Sequence, residues 1–469
     1  MTGAGWAEDP TLATIGHRRK VLVLVGAGSA VFTRAIVADL VSASDLGSWE
    51  LRLVDVDEQA LDLALRLAQR MVAARSREGE VVLDGTTDRR TALPGADFIV
   101  SCIGVGGRAA WEADWQIARR YGVLQAVGDS VLPGGLSRAM RTVPVLVELA
   151  EDVRRLAPKA RFFNYSNPMT ANCAAVRHRT GVEVVGLCHG VFSTHHQLAR
   201  FIGKAPEETS ILFCGINHLT FVYDFRWRGE DAWPLVHRRL AEDRALPIDE
   251  ADIGRNHNDG NKASFNPFSF ELFDRLGAYP APGDRHTTEF FPERFGRGDY
   301  YGKTLGVDAF SLKEVIETDE ERYQLMRREA FGETPLDASV FERSGVEVEQ
   351  LVSVLRAILT DQGLLVSANV ENRGLVPNLP ERAVVEVPAL VTARGFLPLA
   401  VPDFPTPLAA VILRRLAPVE VTVEAALSGS FDLFVEALLL DGAVSDPSVA
   451  RSMAEDLVSA QRPYLPRFA

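Results

Sequence analysis

Lys20–Val21–Leu22–Val23–Leu24–Val25 followed by Gly26–Ala27–Gly28–Ser29 is the stretch on which the fold turns. Its unbroken aliphatic run reads as a strand buried on both faces, as in a parallel sheet. The glycines after it read as a tight turn, and the apolar residues from about Ala30 to Val41 as a helix. In this context a glycine turn can approach a pyrophosphate, because the helix N-terminus offers free N–H groups and a positive dipole end. Gly26, Gly28 and Ser29 are therefore expected to bind a dinucleotide. The fingerprint is incomplete, since Val31 stands where its third glycine belongs. The next strand, Leu51–Val54, ends at Asp55, an acid suited to ribose hydroxyls and to NAD over NADP. The alternative is that Asp55 only opens a turn, with Asp57 capping the helix that follows.

Reading outward, Phe98–Ile103 is a further strand that runs into Gly104, Gly106 and Gly107, and Gly106 joins the expected cofactor site. Gly128–Asp129–Ser130 and Pro133–Gly134–Gly135 read as a loop bordering a site, ahead of a helix from Thr142 to about Leu156. A strand at Arg161–Phe163 ends in Asn164–Tyr165–Ser166–Asn167–Pro168. Asn164 and Asn167 are either turn residues or hydrogen-bonding groups for a sugar. Val184–Leu187 is a strand ending at Cys188–His189–Gly190. Strands and helices alternate from 20 to 190, which predicts an α/β fold: a Rossmann-like doubly wound parallel sheet, with ligands at strand C-termini.

The expected NAD-binding domain is 19–190, preceded by a flexible leader over 1–18. Beyond it, Leu219, Phe221, Tyr223, Phe225 and Trp227 alternate as in an antiparallel, half-buried strand. The pattern predicts a mixed α+β domain over 191–469, binding substrate and metal and serving oligomerisation. Within it, Gly277–His286 reads as a rigid loop displaying Asp284, Arg285 and His286. Ala383–Val387 reads as an extended segment, and 421–441 as one apolar helix.

The net charge of −13 argues against a nucleic-acid partner, which needs a basic surface. Cys102, Cys173, Cys188 and Cys214 sit in apolar runs and form no disulfide framework, as expected of reduced thiols in a cytoplasmic enzyme. No apolar stretch reaches the roughly 18 residues of a membrane span, and the leader does not resemble a signal peptide.

Cys188 and His218, the latter in Gly215–Ile216–Asn217–His218, are candidate metal ligands. Read alone, such a pair is more often structural, a small buried hydrophobe and a satisfied polar residue. The full set of motifs changes that weighting. Gly26–Ala27–Gly28–Ser29 with Phe32–Thr33, then Asn164–Pro168, Gly186–Gly190 and Gly215–His218, occur in this order. With Asn378–Leu379–Pro380 and Val385–Glu386–Val387–Pro388, they resemble glycoside hydrolase family 4 from about residue 20 to 440. The resemblance implies a lactate/malate-dehydrogenase-like architecture, an NAD-requiring glycosidase, a divalent metal (usually Mn²⁺) and a homodimer or homotetramer. It lies outside two-carboxylate glycoside hydrolysis.

By the same resemblance Cys188 and His218 hold the metal, and Asp284 is the base at C2, with Tyr279 as fallback. Gly190 after Cys–His points to α-glucuronides or α-galacturonides, and Trp115 disfavours a phosphorylated sugar. His189 is the candidate acid for the departing oxygen, or a structural histidine. Asn164 and Asn167 are candidates for sugar hydroxyls, and Arg285 and His286 for a uronate carboxylate. Oxidising C3 to a ketone acidifies the C2 proton, elimination frees the aglycone, water adds, and NADH restores C3. The alternatives are an NAD-dependent hydroxy-acid or sugar dehydrogenase, an α-glucosidase or α-galactosidase of the same family, and a non-catalytic NAD-linked sugar sensor.

Overall fold

The computed structural model describes residues 18–29, 32–246, 249–255, 262–342 and 350–468. The expected leader lies, but for Arg18, outside the described residues, as do Ala30 and Val31.

Strand β1 (Lys20–Val25) is buried along its whole length, and its residues alternate between two cores. Leu22 and Leu24 pack with the helices Phe32–Ser42 and Glu58–Ala74. Val21, Val23 and Val25 pack with Leu132–Leu156 and Met169–Thr180. A helix layer on each face demands an apolar residue at every position, which is why the sequence shows no alternation there. Each such side chain contributes about 1.5–3 kcal/mol on burial.

The other parallel strands are β2 (Trp49–Val54), β3 (Val81–Thr86), β4 (Phe98–Ser101), β5 (Arg161–Asn164) and β6 (Val184–Gly186). They lie in the order β3-β2-β1-β4-β5-β6, that of a dinucleotide-binding Rossmann sheet. Next come β7 (Thr209–Ile216), β8 (Leu219–Trp227), β9 (Glu230–Asp231) and β10 (Tyr279–Ala281). A small separate hairpin, β11 (Asp299–Tyr300) and β12 (Lys303–Thr304), precedes β13 (Leu364–Glu371), β14 (Val384–Thr392) and β15 (Gly395–Pro398). Parallel pairing ends at β6, close to the expected boundary at 190, yet the sheet does not stop. Antiparallel β13 pairs with β6 through Asn369 and Gly186, and the order runs on through β14, β7, β8 and β10 to make a 13-stranded sheet.

One hydrogen-bonded row crosses this path. Val54, Val25, Ser101, Asn164 and Gly186 are partners across the parallel half. Asn369, Glu386, Gly215, Thr220 and Ala281 continue the row. Asp55, Gly26, Gly106, Cys188, His218 and His286 all lie within a few residues past that row. The topology thus delivers them to a single edge.

Three expectations differ from the structure. The glycine-rich stretch at 133–135 is the first turn of the helix Leu132–Leu156, not a loop. Pro133 suits that first turn, and a Cβ on Gly135 would lie 2.5 Å from the Ser130 backbone. The apolar segment 421–441 belongs to two helices, Thr406–Ser428 and Phe431–Asp441, split where Ser430 accepts the Leu433 N–H. Strand β8 is antiparallel, but Leu219 to Val222 are buried on both faces rather than one.

Candidate active site

The glycine turn after β1 is built for close approach. Gly26 has φ +91°, and a Cβ there would lie 2.9 Å from the Cys102 backbone. The Gly28 N–H donates to Asp55 Oδ2 at 2.7 Å, while Asp55 Oδ1 accepts from the Asp57 N–H at 3.0 Å. Each carboxylate oxygen keeps a second lone pair, so Asp55 ties the turn down and still presents its charge. Asp57 does cap the next helix, accepting from Gln59 and Ala60 N–H. Ser29 Oγ accepts the Phe32 N–H at the start of the following helix. Gly106, with φ +81°, caps the helix Gly107–Arg120 beside this turn.

Further along the same edge, His218 sits in the two-residue turn between β7 and β8 with φ +67°. Such backbone in a non-glycine residue is uncommon and marks a site over-determined by its surroundings. Thr220 Oγ1 lies within hydrogen-bond distance of the Ile216 carbonyl and of the buried Glu386 carboxyl, which Ser367 and Asn369 also engage. This network fixes the hairpin beneath His218.

Asp129, His218 and His286 offer ligand atoms that all lie within 4.8 Å of one another. The Cys188 thiol approaches the same imidazole closely enough to hydrogen-bond, and it accepts the Gly190 N–H at 3.4 Å. Ser130 Oγ bridges Asp129 Oδ1 (2.8 Å) and His218 Nδ1 (2.9 Å), and Asn167 Nδ2 donates to Asp129 Oδ2 at 2.8 Å. Burial alone would raise the Asp129 carboxyl, but the His218 charge and hydrogen bond, with His286 and Arg138, hold it well below the usual range. Burial alone would lower His218, but Asp129 and Cys188 raise it well above an ordinary imidazole. His286 goes the opposite way, depressed by burial and then by the His218 charge. Its Nδ1 is buried with no hydrogen-bond partner among the described residues. Nitrogen, oxygen and sulfur donors, one of them unsatisfied, suit a divalent transition metal.

Four sequence assignments need correction: those of Asp284, Tyr279, Asn164 and His286. Asp284 does not face this cluster. It is fully buried, and its oxygens accept the N–H groups of Phe268 and Ser269, the Ser269 hydroxyl and the Tyr300 hydroxyl. It satisfies free N-terminal donors of the helix Pro267–Leu276, with both oxygens engaged there and by the Ser269 and Tyr300 hydroxyls. Tyr279 is equally buried, with Asp284 among its neighbours. Asn164 is buried and folds back on its own turn, donating to the Ser166 carbonyl and accepting the Ser166 N–H, so it does not reach sugar hydroxyls. His286 belongs with the metal-type cluster instead of with a separate carboxylate site.

Other residues keep access. His189 is exposed at the start of the helix Gly190–Phe201 and is near enough to His286 to lower it further. Arg285 carries a buried Nε without a partner among the described residues, and Asp129 and Glu289 lie nearby. Gly190 has a packing reason of its own: a Cβ there would meet Pro282 at 2.8 Å.

The sequence assigns no role to three residues of this site. Asp129 lies in the glycine-rich stretch already noted as bordering a site. Arg138, on the helix after it, lies close enough to Asp129 to feel its charge. Glu289 accepts the Val127 and Gly128 N–H groups, yet burial pushes its carboxyl up to about 8. Only spatial proximity distinguishes these from ordinary surface charges.

A Rossmann sheet with a metal-type cluster at its C-terminal edge defines a class of dinucleotide-binding proteins carrying a second, polar site beside the cofactor cradle. The particular family follows from two family models: Family 4 glycosyl hydrolase matches residues 21–204, and the Family 4 glycosyl hydrolase C-terminal domain matches 213–444. The chain belongs to glycosyl hydrolase family 4. It is similar to an α-galactosidase of Rhizobium meliloti (32% identity, covering 96% of this chain and 89% of the relative). An α-galacturonidase of Bacillus subtilis is 29% identical over 93% of this chain and 95% of its own length. The solved structure of a 6-phospho-α-glucosidase from gut microorganisms, in complex with NAD and Mn²⁺, shares the fold. Its TM-score is 0.80 at 20% identity, with 96% and 99% of the two chains covered. No helix among the described residues is long and apolar enough to cross a membrane.

Proposed function

We propose that this chain is an NAD- and divalent-metal-dependent α-glycosidase that cleaves α-linked uronides, with 19–190 as the cofactor half. The reading is carried by one observation: the glycine cradle and the Asp129–His218–His286 cluster with Cys188 lie along the same edge of one sheet. Gly26, Gly28, Ser29 and Gly106 hold NAD through close backbone approach, and Asp55 takes the ribose hydroxyls. Cys188 and His218 hold Mn²⁺ or another divalent ion, joined by His286 and Asp129. When bound, NAD supplies a reversible hydride acceptor for the sugar C3 hydroxyl, and the metal a Lewis acid that acidifies the neighbouring C2 proton.

This chain's own residues position the two groups and the substrate and supply the proton for the leaving oxygen. His189, exposed at a helix start beside His286, delivers a proton to the departing oxygen. Asn167 and Ser130 hold Asp129 in register with His218. Arg285 and Arg138, cations within reach of Asp129, supply the charge a uronate carboxylate requires. Cleavage of uronides is in keeping with the α-galacturonidase likeness, although the α-galactosidase is somewhat more similar in sequence.

The test is a panel of aryl α-glucuronide, α-galacturonide, α-glucoside and α-galactoside with NAD, Mn²⁺ and a thiol. The uronides should be cleaved fastest, with the NAD pool unchanged at the end. Faster cleavage of a neutral hexoside would overturn the uronide assignment. Stoichiometric NADH without aglycone release would make the protein a dehydrogenase, and binding without turnover a sensor.

A further inference from the structure

The matched family region ends at residue 444, but the chain continues into a helix, Pro447–Gln461, and a single 3₁₀ turn, Arg462–Tyr464. This C-terminal segment returns to the cofactor edge. Gln461 is buried, and its Nε2 donates to the Asp114 carboxylate and to the Ala110 carbonyl, both at 2.8 Å. Asp114 is paired in turn with Arg141 at 2.8 Å, with both side chains almost fully buried. Arg141 Nε donates to the Val105 carbonyl, in the glycine turn after β4. A chain of buried polar contacts therefore runs from the C-terminal segment to Val105.

Tyr464 follows Gln461 by three residues, the spacing at which 3₁₀ side chains share a face. Its ring edge packs on Gly106: a Cβ at Gly106 would lie 3.0 Å from Tyr464 Cε2. Leu465, next in the chain, is buried in the C-terminal helical core and pins the segment from behind. Yet Tyr464 itself stays 40% exposed, and its hydroxyl has no hydrogen bond among the described residues. A partly exposed aromatic ring thus lies against one of the two glycine turns. The turns abut, since Gly26 has no room for a Cβ beside Cys102.

We infer that Tyr464 is a contact residue for the bound dinucleotide, and that Gln461 is its positioning residue. The inference rests on the NAD reading above and adds a cofactor wall from outside the matched family region. Rings offered to nucleotides act through stacking, which tolerates Phe but not Ala.

The test is calorimetric titration of NAD into the full chain without substrate, alongside melting of the NAD-free protein. Tyr464→Ala should weaken NAD binding about tenfold. Tyr464→Phe should remain within about twofold, and Gln461→Leu should weaken NAD in the same direction as the alanine variant. NAD binding by Tyr464→Ala within about twofold of the unsubstituted chain would overturn the inference while leaving the NAD reading intact. So would a loss of affinity matched by an equal loss in Tyr464→Phe together with a lowered melting point, because that reports a folding role. An unsubstituted chain that binds no NAD would overturn both readings.

Discussion

His218 shows how little of a site a single residue announces. In sequence it is a histidine after an asparagine; in space its positive φ, the Ser130 bridge and the Asp129 carboxylate give it a defined direction. Glu289 is the opposite case, an acid without a motif whose environment makes it informative. Burial outweighs the two N–H donors it accepts, so its folded carboxyl titrates near 8, against 4.5 as the ordinary value. The folded state therefore binds more protons than the unfolded chain between those two values. Its contribution to stability is full below about pH 4.5 and is lost as pH rises through about 8. Asp284 and Asp441, each raised to about 6 by burial, act with the same sign over a narrower window. The metal-free protein should thus melt at progressively lower temperature from pH 5 to 8, at up to about 1.4 kcal/mol for each pH unit and each such group. Glu289→Gln should flatten the upper part of that dependence. An unchanged slope between pH 6.5 and 8 would show that Glu289 is ionised in the folded protein.

At the scale of elements, strands were easy to read and loops were not. The aliphatic run Val21–Val25 declares a two-faced strand because both helix layers impose the same demand on it. Pro133–Gly134–Gly135 misleads because the same residues serve a turn or a crowded helix start, and only the neighbouring Ser130 backbone decides between them. The segment 281–290 is harder still. It sends Asp284 inward to a helix end and His286 to the metal-type cluster, two residues apart, and no spacing rule separates those fates. Gly190 links this segment to the start of the helix Gly190–Phe201, just after Cys188, by packing against Pro282. Gly190→Ala places a methyl group where only 2.8 Å is available to Pro282 Cβ, so the Pro282–His286 segment must shift. Mn²⁺ affinity, measured by titration without NAD, should fall on the order of tenfold, as when the support of a metal ligand is disturbed. Affinity within about twofold of the unsubstituted chain would detach Pro282 from the positioning of His286.

At the scale of the molecule, the parallel half and its ligand edge were legible, because strand–turn–helix alternation fixes both. That the sheet continues through β13, β14, β7, β8 and β10 was not, since Asn369 meets Gly186 across a long sequence separation that no local pattern encodes. One sheet carries both cradle and cluster at separate places along its edge, which makes them separable by mutation. Asp55 ends β2, two strands from the β4 edge of the cradle, and the cluster is reached only beyond β5. Its carboxylate faces the glycine turn and touches no member of the Asp129–His218–His286 group. Asp55→Ala should therefore raise the NAD dissociation constant on the order of tenfold, by removing a charge-assisted hydrogen bond and loosening the Gly28 turn. The NAD-over-NADP preference should narrow at the same time, because the repulsion of a 2′-phosphate goes with the charge. Mn²⁺ affinity without NAD should be unchanged. If Mn²⁺ affinity fell with NAD affinity, the two sites would be coupled through the sheet; if the preference between the two cofactors stayed the same, Asp55 would be holding the turn without reading the ribose.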